Sequence, residues 1–66
     1  MKKYTVAPNK DATVWFIKME DVAPLEEYDE FDKSVEAGFR IAQENKPSTL
    51  TILDENHDIQ DKHTFK

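Results

Sequence analysis

Cysteine is absent from this 66-residue chain and glycine occurs once. The first absence removes disulfides, thiol nucleophiles and zinc sites of the Cys type. The second removes the glycine-rich loops that cradle phosphates, since Gly38 alone cannot build one. Long apolar runs are missing too, the longest being Thr13-Val14-Trp15-Phe16-Ile17. A secretory signal needs about 7–15 apolar residues after a basic start, and a membrane helix about 20. The expectation is a cytoplasmic protein with no membrane partner. Basic excess is also lacking: nine Lys and Arg face fourteen Asp and Glu, a net charge of −5. The basic stripe of a nucleic-acid binder is missing, so no direct nucleic-acid contact is expected.

What is present is unevenly spread. Residues 20–36 hold eight acids (Glu20, Asp21, Glu26, Glu27, Asp29, Glu30, Asp32, Glu36) against Lys33, a local charge of −7 that leaves +2 for the rest. Sixty-six residues make one domain, near the lower size at which packing alone holds a fold. Dimerisation is a natural supplement to so small a core.

Apolar periodicity organises the chain. Tyr4 and Val6 share one face of a strand over 2–7, and Pro8-Asn9-Lys10-Asp11 is turn chemistry. A second strand over 13–19 is dense in β-branched and aromatic residues, and the two form a hairpin. Pairing with Tyr4 and Val6 turns Trp15, Ile17 and Met19 inward. Val14 and Phe16 then lie, with Lys18, on a face that water or a partner must cover.

Residues 20–31 read as an acidic connector whose Val22, Leu25, Tyr28 and Phe31 fold back onto the core, with room for a short extended stretch at 25–28. A helix over 32–45 follows, with Asp32 as its N-cap and Val35, Gly38, Phe39, Ile41 and Ala42 as its apolar stripe. Asn45 suits a left-handed terminal residue, and Pro47 forbids continuation. Strands over 48–54 and 58–65 close the domain around the turn Glu55-Asn56-His57, with Ile59 and Phe65 inward on the last. The fold class is α+β: one ββαββ domain over 1–66, a mostly antiparallel sheet with the helix packed on one face.

These motifs occur in the order Tyr4-Thr5-Val6-Ala7-Pro8-Asn9, Trp15-Phe16-Ile17-Lys18, Phe31-Asp32-Lys33-Ser34-Val35-Glu36-Ala37, Ile59-Gln60. In that order the chain resembles the small bacterial domains of domain-of-unknown-function family 2188. It departs from them in three places. Lys33 replaces a helix-start threonine and breaks the capping box to Glu36, which shifts the cap to Asp32. Asn56-His57 replaces an Asp-Gly turn, so a left-handed position falls to a non-glycine residue. The basic ending is muted to Lys62 and Lys66 beside Asp61. The resemblance implies a fold and no mechanism.

No chemistry-bearing constellation holds up. A calcium loop counted from Asp54 needs glycine at position six and glutamate at twelve; the chain has Ile59 and Phe65. His57 and His63 are six apart, which suits neither a helix pair nor a strand pair around a metal, and His63 with Asp61 offers two ligands only. The acidic connector looks solvated, without the apolar pocket that raises a carboxyl pKa for acid–base work. So small a chain does not easily enclose a small-molecule pocket. The expectation is a non-enzymatic module with no cofactor and no metal. It would associate through the open sheet face (Val14, Phe16 and Leu53 among Thr5, Thr49 and Thr51) with a second copy or another protein. The alternative is an acidic inhibitor or nucleic-acid mimic that docks a basic partner through Glu26, Glu27, Asp29 and Glu30.

Overall fold

A computed structural model describes residues 1–19 and 24–66. It contains β1 (Lys2–Pro8), β2 (Trp15–Met19), β3 (Glu26–Tyr28), α1 (Phe31–Glu44), β4 (Ser48–Leu53) and β5 (Ile59–Phe65). The strands form one sheet in the order β3-β2-β1-β4-β5. The two hairpins are antiparallel, and they are joined at the centre by a parallel pairing of β1 with β4, so the sheet is mixed. The ββαββ order stands, with β3 added as an edge strand where the connector had room for an extended stretch.

α1 lies over the face that carries Tyr4, Val6, Trp15, Ile17, Leu50 and Ile52, and these side chains form the core with Ala37 and Ala42. The inward parity expected for Trp15 and Ile17 is the observed one. Trp15 meets the Phe31 ring edge-on at 4.7 Å. Of the connector's apolar residues, Tyr28 and Phe31 pack against the core, Leu25 stays exposed, and Val22 lies outside the described residues.

The helix departs from the expected stripe by a small rotation. Ser34, Ala37, Gly38 and Ala42 are buried, while Val35, Phe39 and Ile41 flank them half-exposed. Small residues face the sheet because the helix sits close to it. A Cβ on Gly38 would stand 3.1 Å from Val6 Cγ2 and 3.2 Å from Leu50 Cδ1. Close approach, not tolerance, accounts for the glycine.

Three local expectations are corrected. The helix starts one residue early: Glu30 is the N-cap residue and makes no side-chain cap bond, while Asp32 lies in the first turn, where its charge still meets the helix dipole. Asn45 is not left-handed (φ −123°). Its N–H donates to the Ala42 carbonyl and its side-chain amide to that of Ile41 at 2.7 Å, which meets the terminal carbonyls by another route. Ile59 is 67 % exposed, because a register shift at Ile52/Leu53 sets it opposite Leu53, away from the helix; Phe65 does pack inward, edge-on to Phe39.

Two turns hold the hairpins. The Asn9 side chain accepts the N–H groups of Thr13 and Val14 and donates to the Thr13 hydroxyl. Ala12 closes that loop at φ 56°. At the other hairpin His57 takes the left-handed position (φ 66°) that the missing glycine leaves to it. No helix among the described residues is long and apolar enough to cross a membrane.

Candidate interaction surface

Strand parity places every second residue of the sheet on the face that α1 does not cover. The register aligns these residues into rows that run across the strands. Thr5 pairs with Lys18 on one side and with Thr51 on the other, and Thr51 pairs with Lys62. The result is a row Lys18–Thr5–Thr51–Lys62 across β2, β1, β4 and β5. One step along the strands, Phe16 pairs with Ala7 and Leu53 with Ile59, an apolar row beside the polar one. One step the other way lie Lys3 and Thr49, also a cross-strand pair.

The polar row floors a depression of about 650 Å³ lined by Lys3, Lys18, Lys62, His57, Leu53 and neighbouring threonines, with no acidic side chain among its described lining. Phe16 is half-buried, with the Lys18 ammonium 5.6 Å from its ring centroid. The His57 ring nitrogen Nε2 lies 3.0 Å from the Pro8 carbonyl oxygen and fastens the β4–β5 turn to the end of β1.

The expected patch of Val14, Phe16 and Leu53 is thus divided. Phe16 and Leu53 belong to the apolar row, while Val14 borders a separate depression with Glu27, Tyr28, Asp29 and Lys33. Sequence reading missed the lysine row. Lys18 was visible by parity, but Lys62 joins it only through two further pairings, of which the parallel one has no local sequence signal.

Among the described acids of the segment, Glu26 and Glu27 lie on different faces. Glu26 opposes Ile17 and Glu27 opposes Phe16, so consecutive carboxylates point to opposite faces of β3. Glu26 accepts the Tyr28 hydroxyl and lies 3.8 Å from Arg40, and Glu30 bridges Lys33 at 2.8 Å. The bond to Glu26 raises the Tyr28 pKa above its ordinary 10.0, helped by burial and the Glu26 charge and opposed by Arg40. Lys33 is likewise raised above 10.5, first by its bond to Glu30 and then by the Glu30 and Asp29 charges.

The turn acids are structural. Asp54 Oδ1 accepts the N–H groups of Asn56 and Asp58 at 2.8 and 3.0 Å and so ties the turn. His63 Nε2 lies 3.0 Å from Asp61 Oδ2, and its ring rests on Phe39 at 4.6 Å. Among the described residues no three His, Asp or Glu side chains gather as a metal would require. The buried hydroxyls of Ser34 and Ser48 donate to the carbonyls of Phe31 and Ala42 and so serve the helix ends.

Comparison with known proteins gives a family and no chemistry. Residues 4–65 match the model of the family described as "Uncharacterized protein conserved in bacteria (DUF2188)". The chain is 42 % identical over 65 residues to the uncharacterised protein YycD of Bacillus subtilis (strain 168), covering 98 % of each chain. No solved structure matches significantly.

Proposed function

The chain belongs to this bacterial family, DUF2188, and we propose that it is a non-catalytic binding module whose working surface is the open face of the sheet. One observation carries the reading. Among the described residues the face is concave and uncovered, and it combines an apolar row with lysines and hydroxyls, the mixture that interfaces use. Elsewhere, buried hydroxyls and the Asp54 carboxylate hold helix ends and a turn, and two of the four segment acids are engaged by neighbouring side chains.

The test is affinity capture from the native host with three baits: the unmodified chain, a Phe16→Asp, Leu53→Asp double variant, and a Glu36→Lys variant on the exposed helix. Partners retained by the first and third baits and lost by the second support the open face. Equal capture by all three overturns it. Sedimentation of the chain alone reads whether the bound species is a second copy, and the same double variant must then abolish the dimer.

A further inference from the structure

The reading of the open face as the binding surface leads one step further, to the kind of partner it fits. We infer that the face takes an acidic amphipathic helix of another protein. That helix lies across the strands, with carboxylates on Lys18 and Lys62 and apolar side chains on the Phe16–Leu53 row.

Four observations converge on this occupant. The first is charge: the row Lys18–Thr5–Thr51–Lys62 ends in a lysine on each side and has hydroxyl donors between them, with no acidic side chain among the described lining of the depression. The second is the adjoining apolar row, which gives a partner with one apolar stripe something to bury beside its charges.

The third is topology. α1 covers one face of this mixed sheet, and among the described residues no second layer covers the other, so a partner helix has the width of four strands to lie across.

The fourth is backbone accounting. An extended segment lying across a sheet face finds no ladder there, so its N–H and C=O groups would be covered without partners. A helix satisfies its own. Four strands at about 4.8 Å spacing separate Lys18 from Lys62 by about 14 Å, so carboxylates about seven to nine residues apart on one helix stripe reach both ammonium groups.

Competing occupants fit less well. A second copy placed face to face by a two-fold axis sets lysine row against lysine row. A long polyanion extends past the face and meets a molecule of net charge −5.

The experiment uses the isotope-labelled full chain and three probes, read by amide chemical shifts. One is a synthetic helical peptide of about 16 residues with a Glu stripe beside a Leu stripe. The second is the same peptide with Lys for Glu, and the third is a short oligothymidylate. The expected result is that the Glu peptide shifts Lys18, Thr5, Thr51, Lys62 and Leu53. Its affinity should fall at least about tenfold in a Lys18→Glu, Lys62→Glu double variant, which the Lys peptide then binds.

Both substitutions are on exposed side chains, and circular dichroism checks that the variant folds. No binding by the Glu peptide, shifts on another face, or indifference to the double variant each overturns the inference. Tighter binding of the oligothymidylate on the same residues overturns it as well, yet leaves the open face as the working surface. Failure of that broader reading is seen separately, in capture that ignores Phe16 and Leu53.

Discussion

Replacing Gly38 by alanine sets two known effects against each other. In an exposed helix the change adds about 1 kcal/mol of stability, because glycine loses more backbone freedom on folding. Here the new methyl group would stand 3.1 Å from Val6 Cγ2 and 3.2 Å from Leu50 Cδ1, closer than carbon atoms pack comfortably. Whether it is tolerated depends on whether those neighbours can yield. Both are fully buried, at 0 % exposure. Val6 is β-branched and stiff at χ1. Turning Leu50 only exchanges one methyl for another, since its Cδ2 is also within 3.5 Å of the new atom.

Overpacking of a tight core costs about 1–3 kcal/mol. Against the propensity gain of about 1 kcal/mol, the expected net is a loss of about 1 kcal/mol. In a domain of this size that lowers the melting temperature by about 4–8 °C. The measurement is urea unfolding followed by fluorescence of Trp15, the single tryptophan, which is 8 % exposed and packed on Phe31. A second background isolates the cause. In Val6→Ala, which removes the nearest contact atom, Gly38→Ala should lose most of its cost. An alanine variant more stable than the parent by about 1 kcal/mol would refute the close-approach argument. So would a cost that is the same in both backgrounds.

Ser48→Ala removes a buried hydroxyl that donates to the Ala42 carbonyl at 2.7 Å, and chemical denaturation should report a loss of about 1–2 kcal/mol. Ala12→Gly should stabilise by about 0.5–1 kcal/mol, because φ 56° strains alanine and suits glycine; a lower denaturation midpoint would contradict it. For Tyr28, a folded-state pKa above 10.0 means that the unfolded chain releases the phenolic proton first. The stabilisation is therefore complete below pH 10.0 and is lost as pH rises through the folded value. Difference absorbance against Tyr28→Phe should place the transition above 10.0, and Glu26→Gln should bring it down.

The parts of this fold that were legible in the sequence are those where a side chain answers a local question. Tyr4 and Val6 alternate, and so do Trp15 and Ile17, and the hairpin expected between them points to the buried face. Asn9 directly follows β1, where the loop needs an acceptor, and its side chain is found holding Thr13 and Val14. His57 inherits a left-handed position from an absent glycine. The failures have a common cause in partners far along the chain. The β1–β4 pairing is parallel and joins residues about forty-six apart, as Tyr4 with Leu50, which no window of sequence reveals. Ile59 looked inward by parity and is turned out by a shift at Ile52/Leu53 on the neighbouring strand. Asp32 has good capping chemistry, yet the cap falls two residues earlier at Glu30, just before Phe31, which packs on Trp15.

The same long-range pairing bears on what composition suggests about partners. A chain of net charge −5 looks unsuited to an anionic partner, and for a partner that surrounds it this holds. Charge acts locally, however, over a Debye length of about 8 Å at physiological ionic strength. The described lining of the depression on the open face contains three lysines and no acidic side chain. Glu27, opposite Phe16 on β3, stands at its margin. What a docked segment meets first is the row from Lys18 to Lys62, assembled from one antiparallel, one parallel and one further antiparallel pairing. On the proposed reading, a partner that keeps within this row is attracted and one that overruns it is repelled, so the distribution of charge would select a short acidic element over a long polyanion.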